Sequence, residues 1–302
     1  MTPVSAVLSD QAPAKVNLTL RILGRRADGY HELESLVVFA RLGDRLTLSP
    51  GGALGLDIDG PTGAAAGDIA DNLVLRAAHA LAERVDGLRL GRFALTKHLP
   101  VAAGLGGGSA DAAAALRLLA RLNGLAKAEP RLHEAARQTG ADVPVCLEPR
   151  GRLMRGIGEI LSPPLGLPAL PAVLVNPGVA VPTKDVFAKL GLRPGETCGA
   201  ARQLDPRQLE DRDALLTYMR LHPNDLERPA VALQPVIAQV LAALSDQKGC
   251  GLTRMSGSGA TCFGLFGSDV EAAAAAQAIA SAQPAWWVAA TVLNSAGKIA
   301  SD

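Results

Sequence analysis

The stretch LPVAAGLGGGSADAAAAL, residues 99–116, sets glycine at Gly104, Gly106, Gly107 and Gly108 and then runs into alanine and leucine. The apolar run predicts a helix that Ser109 caps at its start and Gly124 stops. Upstream, Phe93, Leu95 and Leu99 recur at a strand-like spacing. A strand, a glycine turn and a helix N-terminus in succession aim backbone N–H groups at one spot, where the helix dipole favours an anion. Glycine also lets the backbone take positive φ and come close to a ligand. The familiar phosphate-loop patterns are absent, since no lysine precedes Ser109 and no G-x-G-x-x-G occurs. On its own the stretch fits either a phosphate cradle or a tight helix-packing turn. Asp111 reads as a carboxylate that steadies the helix start.

The rest of the chain narrows the field. With 302 residues it has room for one large or two ordinary domains. Lys and Arg number 30 against 29 Asp and Glu, so no global field exists to grip a nucleic-acid backbone, and any anion site must be local. Cys146, Cys198, Cys250 and Cys262 form no C-x-x-C pair, and the five histidines show no metal-ligand spacing, which points to reduced thiols and no zinc. No apolar run is long enough for a bilayer, and the first residues lack the pattern of a signal peptide. The expectation is a cytoplasmic protein with a small-molecule ligand and no membrane or nucleic-acid partner.

Along the chain, Val16, Leu18 and Leu20 alternate with polar residues as in a half-buried strand. Leu46 and Leu48, then Leu54, Leu56 and Ile58, repeat that period on either side of the turn-forming Pro50-Gly51-Gly52. Asp71 and Asn72 supply the start of a helix that Gly87 closes, and a further helix near Leu132–Gln138 stops at Gly140. Four prolines between Pro163 and Pro171 mark the best domain boundary. Beyond it come a buried strand at 172–175, helices at 204–219, 235–244 and 272–282, and strands at 261–266 and 287–293. Strands and helices in both halves predict a two-domain α+β protein.

Several segments carry chemistry. PAKVNLTL (13–20) sets Lys15 and Asn17 on one face of a strand, where a lysine is more often a solvated charge. RRADGYHELESL (25–36) turns at Asp28-Gly29 ahead of Tyr30 and His31, so the tyrosine is either a stacking platform or a loop anchor. TGADVPVCL (139–147) leads Asp142 into apolar surroundings, where a buried carboxylate needs a partner such as a lysine. RMSGSGATCFGLF (254–266) reads as a β-hairpin whose Gly-Ser-Gly tip allows close backbone approach.

Taken together, PAKVNL at 13–18, LPVAAGLGGGSADAA at 99–113 and MSGSGATCFGLF at 255–266 resemble the three motifs of the GHMP kinase superfamily, in the same order. That resemblance implies a ribosomal protein S5 domain 2-like N-terminal domain over residues 1–166 and a ferredoxin-like C-terminal domain over 167–302. Within the superfamily the chain is most similar to the branch that phosphorylates a cytidine diphosphate-linked methylerythritol in non-mevalonate isoprenoid synthesis. The residues PAKVNLTLRILGRRADGYHELES, GLGGGSADAA, GADVPV, NPG-x-x-x-PT (176–183) and HPNDLE (222–227) carry that similarity.

The resemblance also implies roles. Asp142 would take the proton of the C2 hydroxyl, with Lys15 as its cationic partner and Asn17 placing the erythritol. Tyr30 and Phe187 would sandwich the cytosine while His31 meets its edge. Gly104, Leu105, Gly106, Gly107, Gly108 and Ser109 would wrap the ATP phosphates, with Asn72, Lys97 and Pro100 on the nucleotide side. Gly257, Ser258 and Gly259 would close on the substrate diphosphate. ATP brings Mg²⁺ with it, and no protein ligand is assigned to the metal. A monomer and a homodimer are both compatible. Another GHMP kinase, or a non-catalytic nucleotide-binding regulator on the same fold, is the competing reading. RRADGYH counts against the first, and the presence of both Lys15 and Asp142 against the second.

Overall fold

The computed structural model of the chain describes residues 6–201 and 206–295. In chain order these form β1 (Leu8–Asn17), β2 (Arg21–Arg25), β3 (His31–Pro50), β4 (Gly55–Asp59), α1 (Leu73–Ala82), β5 (Gly91–Thr96), α2 (Gly107–Asn123), α3 (Pro130–Thr139) and α4 (Val143–Leu147). There follow β6 (Arg152–Gly156), β7 (Ile160–Leu161), β8 (Leu170–Asn176), α5 (Thr183–Ala188), α6 (Arg212–Leu221), α7 (Glu227–Leu233) and α8 (Val236–Ser245). The last elements are β9 (Cys250–Met255), β10 (Cys262–Phe266), α9 (Asp269–Ala282) and β11 (Trp287–Leu293). Leu204, where a helix was expected to begin, lies outside the described residues.

Two compact units interleave along the chain rather than meeting once near residue 166. The first takes the chain through Ala14, then Gly43–Val101 and Gly106–Pro149. The second takes Lys15–Leu42, Ala102–Leu105 and everything from Arg150.

In the second unit β9, β10, β8 and β11 lie side by side in that order, every neighbouring pair antiparallel. With helices between β8 and β9 and α9 between β10 and β11, this is the β-α-β-β-α-β arrangement of a ferredoxin-like domain. Val173 and Val175 of β8, Ile237, Val240 and Leu244 of α8, and Ala272, Ala275 and Ile279 of α9 close one apolar core. Leu20 and Ile22 join that same core. The N-terminal half of β3 pairs with β2 on one side and β6 on the other. The alternation at Val16–Leu20 suggested a half-buried strand, yet Asn17 and Thr19 are also buried, at 4% and 1% exposure. Their polar atoms are satisfied inside the protein, as described below.

In the first unit the C-terminal half of β3 pairs antiparallel with β5, and β4 pairs parallel with β5. Pro50-Gly51-Gly52 therefore does not close a hairpin. Instead α1 carries the chain from β4 back to β5, the connection that parallel neighbours require. Asn72 caps α1 by accepting from Val74 N at 2.9 Å, and α1 ends at Ala82, five residues short of Gly87. The helix after the glycine stretch starts earlier than its serine suggested. Gly106, at φ +61°, occupies the cap position and Ser109 lies within the first turn, so no side chain caps α2. Gly124, at φ +67°, ends it as expected. Asp142 sits at the cap position of the short helix α4.

One side chain ties these pieces together. Arg117 on α2 donates to Asp10 Oδ2 at 2.8 Å and Gln11 O at 2.7 Å on β1, and to Cys146 O at 2.7 Å on α4. Its planar fork serves three acceptors that a lysine ammonium could not reach at once. Arg117→Met is expected to lower the unfolding free energy by about 1–3 kcal/mol in a urea titration. Arg117→Lys should recover only part of that loss.

Candidate active site

Lys15 lies near the end of β1 with 4% of its surface exposed. Its Nζ donates to Asn17 Oδ1 at 3.0 Å, Asn17 Nδ2 donates to Ser35 Oγ at 2.7 Å, and Ser35 Oγ donates to Thr19 O at 2.6 Å. The Ser35 contact fixes the amide so that its oxygen faces the ammonium. In this arrangement Asn17 orients Lys15, and both ends of its amide are engaged within the protein.

Ser256 is completely buried, accepts from Asn17 N at 3.1 Å and donates to Gly104 O at 2.9 Å. Lys15 N donates to Leu105 O at 2.8 Å, and Thr261 N to Ala103 O at 3.2 Å. Residues 102–105 of the glycine stretch, the PAKVN strand and the Ser256–Gly259 turn thus pack backbone against backbone. Gly104 is required there. Its φ is +75°, and a Cβ would stand 2.4 Å from Ser256 O and 2.9 Å from Gly259 O. At Gly257, with φ +58°, a Cβ would stand 3.2 Å from Gly104 O and 3.4 Å from Asn17 Oδ1. Ser258 Oγ lies 2.9 Å from Thr183 Oγ1 at the start of α5.

The β2–β3 hairpin builds a second feature of the same unit. Asp28 Oδ1 accepts from Tyr30 N, and Arg26 N donates to Tyr30 O, which leaves the Tyr30 side chain outward. It is 61% exposed. His31 packs on Phe187 of α5, with ring centroids 4.7 Å apart and planes inclined at 38°. Its Nε2 is buried and meets no hydrogen-bond partner among the described residues. Burial, and then the nearby Arg25 guanidinium, hold its pKa below the usual histidine value, so the ring is neutral at pH 7. Arg25 pairs across the hairpin with His31, and donates to Gly29 O at 3.2 Å and Leu192 O at 3.0 Å. It therefore fixes the turn that carries Tyr30 to the loop that follows Phe187.

In the first unit, the opening turn of α2 presents Gly107, Gly108 and Ser109 with the uncapped N–H groups of a helix start. Beneath it lies a buried ionic cluster. Lys97 Nζ is held between Asp44 Oδ2 and Asp111 Oδ2, the latter at 2.7 Å, while Asp44 Oδ1 accepts from His98 N and Leu99 N. Lys97 was expected to line the nucleotide side, but it is 4% exposed and its ammonium is engaged by these carboxylates. Burial alone would lower its pKa; Asp111 and Asp44 reverse that and raise it. Asp111 is no surface helix-start charge. It is 3% exposed, and its Oδ1 has no partner among the described residues. Burial, opposed by Lys97 and reinforced by Asp44, pushes its pKa to about 7. Of the remaining expected residues, Asn72 uses its oxygen to cap α1, Pro100 is half-buried, Leu105 is fully packed and Asp142 is half-buried.

The sequence assigns no role to Asp44, Ser35, Ser256 or Arg25. The one local signal was Asp44, a carboxylate set into the apolar alternation that leads to Leu46 and Leu48. The raised pKa of Asp111 has a testable sign. Between pH 4 and pH 7 the unfolded chain releases this proton and the folded chain keeps it, so the group's contribution to stability falls as pH rises. Asp111→Asn removes that penalty. The variant's stability relative to wild type is expected to be greater at pH 8 than at pH 5, and a pH-independent difference would contradict the burial argument.

Comparison with known proteins agrees with these motifs. Residues 72–148 match the GHMP kinases N terminal domain, and residues 201–285 match the GHMP kinases C terminal domain. The chain is 59% identical over 299 residues to a 4-diphosphocytidyl-2-C-methyl-D-erythritol kinase of Rhodopseudomonas palustris (strain BisA53), spanning 97% of this chain and 100% of that one. A protein of the same description from Methylorubrum extorquens is 59% identical over 95% of this chain and 99% of its own. Among solved structures, a 4-(cytidine 5'-diphospho)-2C-methyl-D-erythritol kinase superimposes with a TM-score of 0.75 at 38% identity, covering 95% of this chain and 100% of that one. Homoserine kinase from Cytophaga hutchinsonii shares the fold, with a TM-score of 0.69 at 21% identity over 97% of each chain. The chain belongs to the GHMP kinase family, alongside the 4-diphosphocytidyl-2-C-methyl-D-erythritol kinases.

Proposed function

We propose that the protein transfers the γ-phosphoryl group of ATP to the C2 hydroxyl of 4-diphosphocytidyl-2-C-methyl-D-erythritol. Beyond the full-length similarity, the observation that carries this reading is the His31–Phe187 pair. An aromatic face beside a neutral ring nitrogen without a partner suits a flat heterocycle with donors and acceptors on its edge, as in cytosine. Tyr30, exposed on the same hairpin, offers a further ring for stacking.

Phosphoryl transfer depends on positioning and on stabilising charge. The open N–H groups at the start of α2 are suited to hold nucleotide phosphates without a lysine in the loop. In this reading Asp142 accepts the hydroxyl proton and Lys15, oriented by Asn17, supplies the positive charge that offsets the developing alkoxide. ATP is ordinarily used as its Mg²⁺ complex. Asp44 and Asp111, the carboxylates packed under the glycine turn, face Lys97 and so do not fit a divalent cation. Among the described residues no cluster of three or more His, Cys, Asp or Glu could hold one either. Magnesium would then enter on the nucleotide, as is common for this ion.

Asp142→Asn and Lys15→Ala are each expected to reduce kcat by about 10²–10⁴-fold while ATP still binds. Near-normal kcat in both would sink the assignment. Tyr30→Ala and Phe187→Ala are expected instead to raise KM for the cytidine substrate with kcat little changed. An unaltered KM in both would remove the base-stacking role.

A further inference from the structure

HPNDLE, residues 222–227, is a sequence motif that the proposed chemistry leaves without a task. It forms the connection from α6 into α7 and is a dense polar clasp within the second unit. Asn224 is 4% exposed, and its Nδ2 donates to Met255 O and to Gly257 O, both at 2.8 Å. Its Oδ1 accepts from Leu226 N at 2.9 Å, which fixes which end of the amide faces the turn. Glu227 Oε2 accepts from Met255 N at 2.8 Å. On the other side, Asp225 N donates to Leu20 O, and Asp225 Oδ2 accepts from Ile22 N at 2.7 Å. The clasp thus joins the strand that follows Lys15 and Asn17 to the Ser256–Gly259 turn.

The hydrogen bonds of that turn are sorted by sign. The carbonyls of Met255 and Gly257 point into the protein, held by one amide nitrogen. Ser256 N donates to Thr261 O and Gly259 N to Ser256 O. The N–H groups of Gly257 and Ser258 donate to nothing among the described residues. Consecutive backbone N–H groups beside a left-handed glycine form a concavity that favours anions. If the peptide between Gly257 and Ser258 turned over, a carbonyl would replace an N–H there. The bond from Asn224 Nδ2 to Gly257 O opposes that rotation.

We propose that Asn224 is a positioning residue for diphosphate recognition: by anchoring Gly257 O it keeps the Ser258 N–H, of the same peptide unit, turned toward the anion beside the Gly257 N–H. The proposal rests on the reading that this turn meets the substrate diphosphate, and it assigns Asn224 no contact with substrate.

The test compares cytidine with cytidine diphosphate as ligands of the ATP-free protein by calorimetry. Both share the base, and only the second carries the anion. Wild type is expected to bind cytidine diphosphate about tenfold or more tighter, as for hydrogen bonds to a charged group. Asn224→Ala should bring that ratio to about threefold or less while cytidine affinity is retained, a split that general loosening of the fold would not produce. Asn224→Asp, which keeps the shape but turns an acceptor oxygen toward the two carbonyls, should also lower the ratio to about threefold or less with cytidine affinity retained, and it carries the test should the alanine variant fail to fold. A wild-type ratio near one would overturn the reading of the turn itself. A wild-type ratio preserved in the variants would overturn the role of Asn224 and leave that reading standing.

Discussion

A serine with no exposed surface holds two backbones together: Ser256 Oγ takes a hydrogen from Asn17 N and gives one to Gly104 O. Three segments far apart in sequence meet at that hydroxyl, and each has little freedom to do otherwise. Gly104 cannot carry a side chain, because two carbonyls of the Ser256–Gly259 turn occupy the space. Asn17 cannot swing, because Ser35 and Lys15 fix its amide. A buried hydroxyl left without partners would cost on the order of 1–3 kcal/mol, so the contacts are mutually enforcing. The orientation of the Lys15 ammonium follows from them.

The protein also separates its charges by purpose. Lys97 is locked between Asp44 and Asp111 under the start of α2, where it is a structural cation. Anion binding in the proposed chemistry falls to backbone N–H groups, which carry no side-chain entropy and cannot lose a proton. The helix start is well suited to this because Gly106, not a serine side chain, makes the turn into α2. A capping hydroxyl would have taken one of the donors.

Sequence patterns revealed what is decided locally and hid what is decided by distant partners. Asn72 as a cap, Gly124 and Gly140 as helix ends, and the buried run of β8 were legible because each rests on neighbouring residues. The parallel pairing of β4 with β5 was not, since Pro50-Gly51-Gly52 carries the chemistry of a hairpin that the chain does not make. The surface reading of Asp111 failed for the same reason: its burial and its pairing with Lys97, 14 residues before it, are set by tertiary packing, as is the contact of Lys97 with Asp44, 53 residues before Lys97. Ser256 stood inside a recognised motif, yet its part depends on Asn17, 239 positions away. The sheet order of the second unit likewise rests on pairings that no local periodicity encodes.

The central claim is that a neutral histidine packed against a phenylalanine selects a cytidine-linked alcohol for a kinase that grips phosphates with backbone. It is tested most directly by incubating the protein with ATP and, in parallel, the cytidine diphosphate methylerythritol, mevalonate, homoserine or galactose, and following products by phosphorus NMR. The account predicts a new phosphomonoester on the C2 hydroxyl of the cytidine substrate and no comparable turnover of the others. Absence of that product, or faster phosphorylation of any of the other three alcohols, would contradict it.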